Sequence, residues 1–275
     1  MLPGALLAKA PLTRRYRIDA AVTAFGMQIF ARQGVGEAAA ELRVEKTEVG
    51  RRMRFRFGGA SHPERTRGIL QMGHFEEELE EAAGRLVSSR YFGFLTAAPE
   101  GEKRNTGACC AVEGALDATR FRFRKTYEAP LPDSARFRDI PRLRNAIRDS
   151  LDGICARSCA KSCMTANARP EAGRSFLKVL ADAAEARGNC FEGSYHYGDR
   201  LLHLRAKKSA TDAGLACLEA QVQGRGRHRF AFYFHPSAPI ALPERVEYWP
   251  RLPLAAGLRL TLVPLDEPQH EERSS

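Results

Sequence analysis

Arg51-Arg52-Met53-Arg54-Phe55-Arg56-Phe57-Gly58 is the stretch that decides the fold. Met53, Phe55 and Phe57 alternate with Arg52, Arg54 and Arg56, and a period of two sends successive side chains to opposite faces of an extended chain. The alternation returns at Phe121 and Phe123 with Arg120, Arg122 and Arg124, and at Phe230, Phe232 and Phe234 with Arg229, Ala231 and Tyr233. Leu258, Leu260 and Leu262 repeat it with Arg259, Thr261 and Val263. Tyr16, Ile18, Ala20 and Val22 do the same, and Gly26 breaks that run before Met27 to Arg32, giving two strands. Strands greasy on one face and wet on the other belong to antiparallel sheets with a single buried face, because parallel strands covered on both sides are apolar throughout. The expected fold class is mainly β with some α: a curved antiparallel sheet or open barrel, with two helices packed at one side or end.

Ile140, Leu143, Ile147 and Leu151 fall at helical spacing behind Asp139 as N-cap, with Pro141 in the first turn. Phe176, Leu177, Leu180 and Ala184 do likewise, and Gly188-Asn189 supplies a stop. Cys190 to His196 and Leu201 to Lys207, joined by Tyr197-Gly198-Asp199-Arg200, read as a hairpin. Residues 69–97 admit two readings. Glu76 to Leu86 has the composition of a helix, with an aromatic strand from Arg90 to Ala97 after it. Gly84 interrupts that helix, and we read a long hairpin turning near Ala83-Gly84. Pro99 to Gly114, charged and glycine-bearing, reads as a loop. The resulting boundaries are a flexible N-terminus or signal remnant over 1–15, one β-rich domain over 16–263 and a disordered polar tail over 264–275.

A chain of 275 residues buries roughly three quarters of its unfolded surface, so neither disulfides nor a metal are required for stability. Hydrophobic residues at 44% and charged ones at 28% are globular values, and no run of about 20 apolar residues exists to form a transmembrane segment. The net charge is +10, and only 8 of the 43 basic residues are Lys. Arginine's fork suits phosphate or carboxylate, although codon bias in a GC-rich genome explains the same excess. Leu2, Leu6 and Leu7 precede Ala8-Lys9-Ala10, a small-x-small end like that before a signal cleavage site. The apolar part falls short of the roughly 7 to 15 residues of a full signal.

Chemistry-bearing patterns are sparse. Cys155, Cys159 and Cys163 would stack three sulfurs along one helix face, about 6 Å of rise apart. Zinc or an iron–sulfur cluster accepts such ligands, with Cys109, Cys110 or Cys190 as a fourth. The spacing matches no common signature, and unpaired cysteine is also a small, readily buried hydrophobe. There is no G-x-S-x-G, H-E-x-x-H or phosphate loop ending in G-K-[ST], so the chain reads as non-catalytic and without a cofactor. Arg90-Tyr91-Phe92-Gly93-Phe94-Leu95 partly resembles the aromatic strand of an RNA-recognition motif, with Tyr91 where glycine is expected. The Arg-lined faces fit a polyanion, and they equally fit the solvated side of a half-exposed sheet.

Several strings resemble a group of uncharacterised exported bacterial proteins with a lipocalin-like, open or elongated antiparallel barrel. They are Tyr16-Arg17-Ile18-Asp19-Ala20, Phe25-Gly26-Met27-Gln28-Ile29-Phe30 with Val35-Gly36, His62-Pro63-Glu64-Arg65, Tyr91-Phe92-Gly93-Phe94 and Leu242-Pro243-Glu244-Arg245-Val246-Glu247-Tyr248. The resemblance implies the fold and export to the periplasm or cell envelope, with the cytoplasm as the alternative for so short a leader. It brings no activity and no site residues. The function expected is a non-catalytic cell-envelope protein holding a lipid or other apolar small molecule in a cavity lined by Phe55, Phe57, Phe121, Phe123, Phe230, Phe232 and Phe234. Nucleic-acid or other polyanion binding through the Arg faces is the first alternative, and a scaffold without ligand the second. Nothing in the sequence sets an oligomeric state.

Overall fold

The computed structural model describes residues 11–24, 27–66, 71–96, 108–117, 120–130, 140–156, 164–168, 175–211, 214–223, 227–235, 242–250 and 256–265. The alternating stretches become strands. In chain order these are β1 (Leu12–Ala24), β2 (Met27–Lys46), β3 (Gly50–Ser61), β4 (Met72–Ala82), β5 (Arg85–Thr96), β6 (Ala108–Asp117) and β7 (Phe121–Pro130). Helix α1 (Ile140–Ala156), strand β8 (Met164–Ala168) and helix α2 (Phe176–Glu185) follow. Then come β9 (Cys190–Tyr197), β10 (Arg200–Ala210), β11 (Ala216–Gln223), β12 (Arg227–Phe234), β13 (Arg245–Trp249) and β14 (Ala256–Pro264). Among the described residues these form one antiparallel sheet in the order β8-β7-β6-β5-β4-β3-β2-β1-β14-β13-β12-β11-β10-β9. Leu12 to Arg15, grouped by the sequence with the flexible N-terminus, belong to β1, and β14 runs through Pro264.

Within the 69–97 segment, the described residues from Met72 to Thr96 are the hairpin β4–β5. Ala83 (φ 48°) and Gly84 (φ 76°) are both left-handed, the pair of conformations whose twist matches the flanking strands. The Pro99–Gly114 reading needs correction: from Ala108 onward it is strand β6. Its small residues are what two covered faces demand. Cys109 and Ala111 lie buried on one side, and Gly114 sits beneath the Tyr91 ring on the other.

Alternation assigns every strand a concave and a convex face. On β3 and β4 the concave side carries Met53 opposite Leu79 and Phe57 opposite Phe75. The convex side carries Arg52 opposite Glu80, Arg54 opposite Glu78 and Arg56 opposite Glu76. The sheet curls into a nearly closed barrel. Its edge strands β8 and β9 do not pair with each other. Side chains join the two arms instead: Tyr197 stacks on Tyr91 at 5.4 Å between centroids, the Gly198 N–H donates to Tyr91 Oη at 2.7 Å, and Lys125 Nζ meets Asp199 Oδ1 at 3.1 Å.

The helices take opposite faces. Inside, α2 plugs the barrel, with Leu177 packed against Met53 and Leu79 while Val179 and Ala183 meet Tyr195, Leu204 and Leu218. Outside, α1 lies over β6 and β7. There Ile147 joins Phe92, Phe94, Cys109, Ala111 and Ala129 in one buried cluster. Full burial of Ile147 and Leu151 contributes about 2 kcal/mol each. Among the described residues, no helix is long and apolar enough to cross a membrane.

A half-buried carboxylate fastens α1 to the sheet. Glu76 receives Arg144 Nη1 at 2.9 Å and Arg148 Nη2 at 3.3 Å, with Arg56 Nε at 3.7 Å and His74 Nε2 at 3.5 Å. Burial pushes its pKa up, but hydrogen bonds from His74 and Arg144 and the Arg144 charge outweigh that and bring it from 4.5 down to about 2. A carboxyl depressed in the folded state stabilises fully above its unfolded value and stops doing so as pH falls through the folded one. Glu76 therefore contributes about 3 kcal/mol near neutrality that disappears between pH 4.5 and about 2. Urea unfolding across that window is expected to show a steeper loss in the wild-type chain than in Glu76→Gln; parallel curves would exclude the clamp.

Candidate functional site

The concave face of β12, β13, β14 and β1 carries apolar side chains that the plug does not fully cover. On β12, Phe230 and Phe232 stack at 5.9 Å and Phe232 and Phe234 at 6.4 Å, because residues two apart share a face of a strand. Tyr248, opposite Phe230 on β13, stacks on it at 4.7 Å. His228 extends the ladder, its Nδ1 sharing a 2.8 Å hydrogen bond with the Tyr248 hydroxyl. Burial lowers the His228 pKa and raises that of Tyr248, so both are neutral at neutral pH.

Register carries this surface across four strands. Phe232 lies opposite Val246, Val246 opposite Leu262, and Leu262 opposite Ile18. Phe230, Phe232, Phe234, Val246, Tyr248 and Ile18 are each half-buried. Phe55 and Phe57, also half-buried, continue the face from β3 through the cluster of Tyr16, Leu42, Leu242 and Leu262. Phe121 and Phe123 are placed differently. At 2% and 6% exposed, they pack with Tyr91, Val112 and Leu116 in the seam and present no free surface. The structure thus brings Phe230, Phe232 and Phe234 together, sets Phe55 and Phe57 in a second cluster of the same face, and places Phe121 and Phe123 in the seam. Ile18, Val246, Tyr248 and His228 escaped that reading. Tyr248 sits in a five-residue strand whose alternation is too short to notice, and only the β12–β13 register sets it on Phe230.

Cys159 and Cys163 lie outside the described residues, as does the side chain of Cys155. Cys109 is buried and its thiol is pushed up to about 12 by that burial, which makes it a poor thiolate ligand. Among the described residues no group of three or more His, Cys, Asp or Glu side chains is placed to hold a metal.

The basic faces are largely compensated. Arg52 Nε binds Glu80 at 2.9 Å and Arg54 Nη2 binds Glu78 at 2.7 Å, while Arg56 lies between Glu41 and Glu76, and Arg124 pairs with Glu113 and Asp152. On the convex side of β9 to β13, a groove of about 570 Å³ holds Arg205, Lys207 and Arg229 beside Glu192 and Glu219, with Arg229 stacked 5.2 Å over Trp249. Three cations facing two carboxylates make a weak polyanion site. Tyr91, Phe92 and Phe94, the rings of the RNA-motif-like strand, are all at most 5% exposed and have no face free to stack on a base.

No known family profile matches the chain, and no curated protein matches it. Among solved structures it is similar to the crystal structure of the beta-barrel-like protein of domain of unknown function DUF1849 from Brucella abortus. The two share 10% identity at a TM-score of 0.43, over 92% of this chain and 96% of that one.

Proposed function

We propose that the protein is a non-catalytic, lipocalin-like carrier that binds a lipid or another apolar molecule along the aromatic ladder of β12 and β13, in the periplasm or cell envelope. The observation that carries this reading is the ladder itself: His228, Tyr248, Phe230, Phe232 and Phe234 stacked in series, half-buried, on the concave face. A row of partly exposed rings favours an elongated apolar guest over a compact one. Its only titratable members are neutral, so a charged substrate finds no counter-charge on the ladder.

Native mass spectrometry of the chain purified from its own host is expected to show a lipid-sized mass that denaturation releases. A fluorescent fatty acid is expected to bind, and Phe230→Ala with Phe232→Ala to weaken it at least tenfold, because each lost ring wall removes about 1.5–3 kcal/mol of burial. A bare chain mass together with no probe binding would replace the carrier by a scaffold.

A further inference from the structure

We propose that the free end of the β1–β2 hairpin is a docking finger for an anionic lipid surface. The inference builds on the carrier reading, since it supplies the place where an apolar guest is exchanged, yet its test does not involve the ladder. The β2–β3 pairing begins only at Gly36 and Ser61, and the carbonyls of Gln33 and Val35 accept from Arg65 and His62, so among the described residues the stretch from Met27 to Arg32 pairs with β1 alone. Three large apolar side chains on that stretch stand in solvent: Met27 at 68%, Ile29 at 63% and Phe30 at 51% exposure. Three within four residues form a patch rather than scattered surface hydrophobes.

Register places the finger at the mouth of the barrel. Phe30 lies opposite Val22, and Val22 opposite Leu258, which puts Phe30 on the face that Ile18 shares with the ladder. Behind the tip stand two arginines, one on each face. Arg32 falls in the row of Ala20 and Leu260, and Arg259 in the row of Ala21 and Ala31. Both are exposed, and neither has a carboxylate partner among the described residues. The sequence has no Asp or Glu from residue 20 to 36, or from 248 to 265.

An apolar tip with cations set behind it fits an anionic bilayer and no neutral protein groove. Two residues of strand separate Phe30 from Arg32, about 7 Å along the chain. Apolar groups of interfacial elements enter the headgroup and acyl boundary by about 5–10 Å. With Met27, Ile29 and Phe30 at that depth, Arg32 and Arg259 lie level with the lipid phosphates.

The test is vesicle flotation of the full chain. It is expected to bind vesicles of phosphatidylglycerol and phosphatidylcholine, and to bind pure phosphatidylcholine at least fivefold less. Ile29→Asp with Phe30→Asp is expected to cut partitioning at least tenfold, and Arg32→Glu with Arg259→Glu to abolish the preference for phosphatidylglycerol. Both double variants should keep the wild-type circular dichroism and fatty-acid probe binding, which separates a failed finger from a failed carrier. Absence of wild-type binding to either vesicle would overturn the proposal, as would unchanged binding in both variants. Sedimentation showing that the aspartates instead dissolve a dimer would assign the same edge to a second copy of the chain.

Discussion

Glu77→Ala is expected to lower the unfolding free energy by about 3–5 kcal/mol. Glu77 is 1% exposed, inside the barrel, and its carboxyl joins three elements. Oε1 accepts from the Ser89 hydroxyl at 2.9 Å and Oε2 from the Leu177 N–H at 3.0 Å. That N–H is one of the donors a helix leaves unsatisfied at its start. Ser175 Oγ satisfies another, accepting from the Lys178 N–H at 3.2 Å. Alanine would leave the Leu177 N–H and the Ser89 hydroxyl buried without this partner, and a cavity beside them. Burial pushes the Glu77 pKa up, against hydrogen bonds from Ser175, Leu177 and Ser89. A carboxyl raised in the folded state adds stability that is fully present below its unfolded value of 4.5 and is lost as pH rises through the folded value. Glu77→Gln keeps an acceptor and cannot ionise, so it is expected to cost far less than alanine and to remove this loss on the alkaline side. Urea unfolding at pH 5 and pH 8 measures both. An alanine variant within about 1 kcal/mol of wild type would mean that α2 is not anchored through this carboxyl.

Gly114→Ala is expected to open the seam between the arms of the sheet, at a cost of about 3 kcal/mol or more. A Cβ at Gly114 would lie 2.3 Å from Cε1 and Cζ of Tyr91 and 2.5 Å from its Oη. The ring has nowhere to retreat, because it is buried between Tyr197 and Phe121, with centroids at 5.4 and 6.5 Å. Moving it also removes the acceptor of the Gly198 N–H. Amide exchange near Gly198 is expected to quicken far more than exchange in β1. The double variant Gly114→Ala, Tyr91→Ala should be much less destabilised than the sum of its singles, since deleting the ring deletes the clash. Additive costs would show that the contact does not govern the seam.

Legibility differed from strand to strand for physical reasons. β3 and β12 could be read directly, because a strand with one core face and one wet face writes its pleat into the sequence. β6 could not. Covered by α1 on one side and the Tyr91 ring on the other, it needs small residues on both faces, and Ala108 to Gly114 look like a loop when their neighbours are unknown. β4 was ambiguous because Glu76 to Glu81 has a helix former's composition. Its glutamates are divided by the pleat: Glu76, Glu78 and Glu80 meet the arginines of β3, while Glu77 and Glu81 reach α2.

The candidate site divides in the same way. By itself the sequence determined the alternation, the Phe230-Phe232-Phe234 face, the hairpin turns and the helical spacing of α1 and α2, because all of these are relations between residues close along the chain. Only the tertiary structure decided that Tyr248 and His228 extend the ladder, that Phe121 and Phe123 are spent in the seam, and that one helix lies within the barrel and the other outside it. Those facts depend on which strands become neighbours and how far the sheet curls, and both are set by contacts such as Tyr91 with Gly198 and Glu77 with Leu177, 107 and 100 residues apart.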